Sequence, residues 1–142
     1  MDQCKKTPIV SIDFDGTLQL IPVQNYAREL LKRGVDVHIV TRRYDNPFTY
    51  TPAEIAEYGI DDVFKEWDYL FEVAKSLGIK NENIHFLNMT PKSMFFKDNE
   101  QFLWHLDDIE SETYAINHFT KTIGISVYES YREKGNDLIN QQ

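Results

Sequence analysis

Two carboxylates one residue apart, Asp13 and Asp15, close a short apolar run that begins at Ile9. A strand repeats every two residues, so both acids would leave one face at its carboxyl end, and Gly16 supplies the backbone freedom to turn away sharply. Acids fixed side by side suit a hard cation such as Mg2+, held through oxygen. Further down the chain stand Thr41 followed by Arg42 and Arg43, Lys92 directly after Thr90 and Pro91, and the adjacent acids Asp107 and Asp108. A lysine in the first turn of a helix opposes the helix dipole and needs another justification. Together with the amides of the helix start, it would bind phosphate.

These residues can cooperate only if the fold brings them to one edge. Residues 9–12 form a β-branched run bounded by Pro8 and the acidic turn, which predicts a buried strand. Residues 18–22 are too short for an element and are expected to fold over the acids as a flap. From 24 to 33, Tyr26, Ala27, Leu30 and Leu31 recur at helical spacing, with Gly34 placed to end the helix. Residues 35–40 predict a second strand ending at Thr41. Strand, helix and strand in that order make a βαβ unit with parallel strands and a right-handed crossover. Asp13 and Thr41 should therefore emerge on the edge where open α/β sheets bind ligands.

Residues 44–51, with Asn46-Pro47 as a turn signal, read as a loop over that edge. Thr51, Pro52 and Glu54 predict a short helix ending near Gly59. A longer helix follows, with Phe64, Trp67, Leu70, Phe71, Ala74 and Leu77 as its apolar stripe and Gly78 as its end. Strands are expected at 84–87, 102–106 and 123–127, a helix starting at Thr90-Pro91-Lys92 with Thr90 as its cap, and another helix over 111–119. Lys92 and Asp107-Asp108 then fall at the same edge. The fold class is α/β, a Rossmann-like parallel sheet of about five strands flanked by helices. It forms one domain over 1–142, with its core at about 9–127 and a polar tail at 128–142.

Composition sets the outer limits. The 142 residues suffice for one core, and no apolar span is long enough for a bilayer. The polar residues 1–6 leave no room for a signal peptide, so a cytoplasmic protein without membrane contact is expected. Cys4 is the single cysteine, which excludes an internal disulfide. Fifteen basic against twenty-three acidic residues give a net charge of -8, which disfavours extensive nucleic-acid binding. His38, His85, His105 and His118 lack ligand spacing and read as core or surface residues.

The ordered set Asp13-Phe14-Asp15-Gly16-Thr17-Leu18, Thr41, Lys92 and Asp107-Asp108 resembles the four motifs of the haloacid dehalogenase superfamily. Its members are mostly Mg2+-dependent phosphatases that work through an aspartyl phosphate. The resemblance spans residues 9–127. It implies Asp13 as nucleophile and Asp15 as general acid and base. Thr41, Lys92 and Arg42 are assigned to phosphate, Arg42 because its planar fork suits an anionic group. Mg2+ would be held by Asp13, Asp15, Asp107 and Asp108, with the direct ligand of the last pair undecided.

Many relatives carry a cap domain; here nine residues separate Asp15 from Asn25, and at most a lid over 42–61 remains. Such an open site suits a phosphorylated small molecule or a phosphorylated group on a larger one, and could be closed by a second copy of the chain. Tyr44, Phe48 and Tyr50 could stack on a base or sugar. The alternatives are a silent phosphate-binding or regulatory module of the same fold and a phosphotransferase. A response-regulator receiver also gathers acids, threonine and lysine around Mg2+, but its lysine comes last, whereas here Asp107-Asp108 follow Lys92.

Overall fold

A computed structural model of the chain describes residues 7–46 and 52–142. Strand β1 (Ile9–Ile12) runs into a wide turn (Phe14–Leu18), followed by α1 (Ile21–Lys32) and β2 (Asp36–Thr41). Next come α2 (Pro52–Tyr58), α3 (Ile60–Leu77), β3 (Ile84–Phe86) and α4 (Lys92–Asp98). The chain closes with β4 (Phe102–Asp107), α5 (Glu110–Phe119), β5 (Ile123–Ser126) and α6 (Tyr131–Asn140). The five strands form one all-parallel sheet in the order β3-β2-β1-β4-β5. No large cap domain is present among the described residues.

The alternation of each strand divides the core between two faces. Val10, Ile12, Val37, Ile39 and Leu106 meet α1, α3 and α6 through Tyr26, Leu30, Leu70, Ala74 and Ile139. Val40 and Phe102 meet α4 and α5 through Phe96 and Ile116 on the other side. Helices on both faces give the doubly wound arrangement, and its strand order reverses at β1, whose neighbours are β2 and β4. The crevice for a ligand therefore lies at the carboxyl ends of β1 and β4. This order differs from the β2-β1-β3-β4-β5 order of flavodoxin-like folds.

Two local expectations change. Residues 18–22 do not form a flap: Leu18 is buried and α1 already starts at Ile21, with Pro22 in its first turn where no backbone donor is needed. Thr90 does not cap α4 either. Pro91 occupies the cap position, and the Lys92 amide donates instead to Glu112 Oε2 of α5 at 3.2 Å. Pro52 opens α2 as expected, while its predicted cap, Thr51, lies outside the described residues. Gly34 and Gly78 follow their helices with φ of 80° and 85°, as helix-ending glycines do.

The polar tail contains α6, which packs on α1 and β4. Trp104 Nε1 donates to the Gly135 carbonyl at 3.2 Å, and Tyr26 Oη to Asn136 Oδ1 at 2.9 Å. No helix among the described residues is long and apolar enough to cross a membrane.

Candidate active site

Asp13 follows the last residue of β1, and its amide donates to the Leu106 carbonyl of β4 at 2.9 Å. That bond ties the first acid to the strand that ends in the second. Asp107 is the last residue of β4, and between the two acids lies the Lys92 ammonium, 2.7 Å from Asp13 Oδ1 and 2.5 Å from Asp107 Oδ2. All three side chains are buried. Lys92 reaches them from the first turn of α4, so its charge serves the acids beneath rather than the helix terminus.

A second row of contacts holds Asp107 from inside the protein. His105 precedes it by two residues and so shares its face; His105 Nε2 lies 2.8 Å from Asp107 Oδ2, and its Nδ1 lies 2.8 Å from Ser11 Oγ. The Ile109 amide donates to Asp107 Oδ1 at 3.0 Å. Both Asp107 oxygens are thus committed to protein donors. Asp108 turns the other way, within 3.3 Å of the Thr17 hydroxyl, which also lies 3.2 Å from Asp13 Oδ2.

Charges in this cluster are out of balance. Burial pushes the Asp13 carboxyl well above the ordinary carboxylate range, with Lys92 pulling it down and Asp107 adding to the rise. Burial would raise Asp107 as well, but the His105 hydrogen bond and the Lys92 charge hold it well below that range. Lys92 is pushed up because Asp13 and Asp107 together outweigh its burial. Burial lowers His105, favouring a neutral ring that donates from Nε2. One ammonium therefore serves a group of acids.

Asp13, Asp107 and Asp108 place carboxylate oxygens within 4.8 Å of one another, the only such set of three or more possible ligands among the described residues. Oxygen donors in excess of local positive charge fit a hard divalent cation. With Asp107 spent on Lys92, His105 and Ile109, Asp13 and Asp108 are the better placed ligands. The Asp15 carboxylate stands apart from this set. Its oxygens accept from Arg43 Nε at 2.8 Å and Nη2 at 2.5 Å.

Thr41 ends β2 fully buried, its Oγ1 accepting from the Arg43 amide at 3.2 Å. A cavity of about 200 Å³ opens above these residues, lined by Asp13, Asp15, Thr41, Arg42, Arg43, Tyr44 and Lys92, with Met89 and Ile109 as apolar walls. Arg42 spends its fork at the border: Nη1 donates to Glu112 Oε1 at 2.9 Å and Nη2 to the Met89 carbonyl at 2.7 Å. Asn88 and Met89 have positive φ, 50° and 67°, and their amides are pinned to the carbonyls of Arg43 and Arg42. Two wider depressions, about 920 and 880 Å³, border α3 but contain none of Asp13, Asp107 and Asp108.

Asp13, Thr41, Lys92, Asp107 and Asp108 are thus brought together as the motif spacing predicts, with Asp15 across the cavity. Sequence reasoning missed His105 and Glu112. His105 carried a usable signal, since a polar residue two before Asp107 on a strand must point the same way. Phe48 and Tyr50, expected over the site, lie outside the described residues. No family model and no curated protein matches this sequence.

Proposed function

We propose that the chain is a Mg2+-dependent phosphatase of haloacid dehalogenase type, acting on a phosphate monoester through Asp13. The observation that carries this reading is the buried Asp13–Lys92–Asp107 cluster at the carboxyl ends of β1 and β4, with Thr41 and Asp15 on the same cavity. A structural ion-pair network does not need to open onto a cavity, nor to leave one lysine among several acids. The strand order also separates the chain from receivers of the flavodoxin-like order, which use similar residue types.

On this reading the residues divide the work as follows. An Asp13 oxygen attacks phosphorus, forming an aspartyl phosphate as the ester bond breaks. The Lys92 ammonium, 2.7 Å from Asp13, draws the phosphoryl group in and offsets charge on its oxygens. Thr41 offers its hydroxyl to the same group. Asp15 gives its proton to the departing oxygen, then takes one from the water that opens the aspartyl phosphate. Asp107 acts through Lys92, holding the ammonium between the two strand ends. Mg2+ held by Asp13 and Asp108 would supply the positive charge that lets an anionic nucleophile approach an anionic ester.

The cavity is open and small, which favours recognition of the phosphoryl group over the rest of the substrate. A phosphorylated small molecule or an exposed phosphoryl group on a larger molecule fits that description. The test is hydrolysis of p-nitrophenyl phosphate and a panel of nucleotides and sugar phosphates, with Mg2+ or EDTA. The proposal expects turnover that requires the metal and disappears in Asp13→Asn. Full activity in that variant would refute Asp13 as the nucleophile, whereas Mg2+ binding without turnover of any ester would favour the silent binding module.

A further inference from the structure

Arg43 leaves the end of β2 two residues after Thr41, yet its side chain is only 9% exposed because three segments close around it. Nε and Nη2 grip both oxygens of Asp15 at 2.8 and 2.5 Å, while Nη1 donates to the Glu66 carbonyl of α3 at 2.9 Å. The guanidinium lies 5.2 Å from the centre of the Phe14 ring, and that ring meets Tyr69 of α3 edge-on at 5.8 Å. Arg43 is therefore a bracket joining the turn after β1, the end of β2 and α3.

We propose that Arg43 is a positioning residue for Asp15, a role that rests on the acid and base function proposed for Asp15 above. Asp15 sits in a turn and its side chain is half exposed, so its own backbone and packing do not restrict it to one direction. A general acid must come within about 2.6–3.2 Å of the oxygen it protonates. A planar fork fixes both the place and the plane of a carboxyl group. The Glu66 carbonyl and the Phe14 ring in turn fix the fork. When the Nη2 contact opens, the half-exposed Asp15 takes up a proton from solvent on the freed oxygen, and it passes that proton to the departing oxygen as the Asp13 to phosphorus bond forms and the ester bond breaks. The Nε contact keeps the group aimed. Lysine has the charge but not the fork, and cannot reproduce this.

Leaving groups of different basicity isolate the effect. p-Nitrophenolate departs with little help from a proton, whereas phenolate and p-methylphenolate need it more. Wild type, Asp15→Asn, Arg43→Ala and Arg43→Lys are compared on p-nitrophenyl, phenyl and p-methylphenyl phosphate, with folding checked by thermal melting. General acid catalysis contributes about 10²–10⁴-fold, so Arg43→Ala should lose roughly tenfold or more in kcat/KM, which covers only the steps through departure of the alcohol, on the two basic leaving groups and far less on p-nitrophenyl phosphate. Asp15→Asn should show the same pattern, more strongly. Arg43→Lys, with the charge but not the fork, should not recover kcat/KM on phenyl phosphate. An equal loss of kcat/KM on all three esters, or full recovery by Arg43→Lys, would overturn the positioning role while leaving the phosphatase assignment intact. A wild type that turns over none of the three overturns both.

Discussion

The Lys92 ammonium, 2% exposed, lies between two acids at the ends of different strands, and it is the lysine or arginine paired with both of them among the described residues. Replacing it with methionine would leave Asp13 and Asp107 buried beside each other. Breaking a buried ion pair by removing one partner costs about 3–5 kcal/mol, so Lys92→Met should unfold at much lower urea than the wild type. Mg2+ should restore part of that loss, because the cation would offset the acids that lysine no longer serves; equal midpoints with Mg2+ and EDTA would remove the metal from the account. At this scale the sequence was legible wherever a strand end fixed the direction of a side chain, as for Asp13, Thr41 and Asp107. It was not legible for Arg43 or Glu112, whose partners depend on how loops and α5 cross the sheet edge.

Turns and helices set the precision of the site. Gly16 has a φ of 74°, and a β-carbon there would run into the Asp108 carboxylate. Gly16→Ala should therefore weaken Mg2+ binding by displacing Asp108 as well as straining the turn, seen as a smaller Mg2+-induced rise in melting temperature. Gly124 makes a different close approach, where a β-carbon would lie 2.7 Å from the Thr113 carbonyl oxygen of α5. Backbone cannot step aside as a flexible side chain can. Gly124→Ala should cost about 1–3 kcal/mol in urea unfolding by pushing α5 off β5, with Mg2+ response retained. The elements themselves followed from periodicity and helix-ending glycines. The start of α1 did not, because a proline in a first turn and a proline in a flap look alike until the preceding turn is known.

For the molecule as a whole, α6 completes the face formed by α1 and α3. Tyr26 stacks on Trp104 at 6.3 Å between ring centres, and burial pushes its hydroxyl up to about 12 from a usual 10. The folded state thus disfavours tyrosinate. The stability this provides is fully present below pH 10 and is lost as pH rises toward 12, up to about 2–3 kcal/mol. Tyr26→Phe should flatten the alkaline limb of the stability curve; an unchanged limb would assign it to other groups. Removing residues 128–142 should expose Trp104, shifting its fluorescence to the red and lowering the melting temperature. The parallel sheet and its helices were readable from alternating strand and helix signals, but the strand order and the docking of a polar tail were not. Both depend on contacts between residues far apart in the chain.

The covalent chemistry proposed for Asp13 can be trapped directly. The protein would be mixed with p-nitrophenyl phosphate and Mg2+, quenched in acid and reduced with borohydride, which converts an aspartyl phosphate to homoserine. Peptide mass spectrometry then locates the converted residue. Homoserine is expected at position 13, dependent on Mg2+ and absent in Asp13→Asn. Turnover with conversion at another residue, or with none under conditions that trap the intermediate, would contradict it.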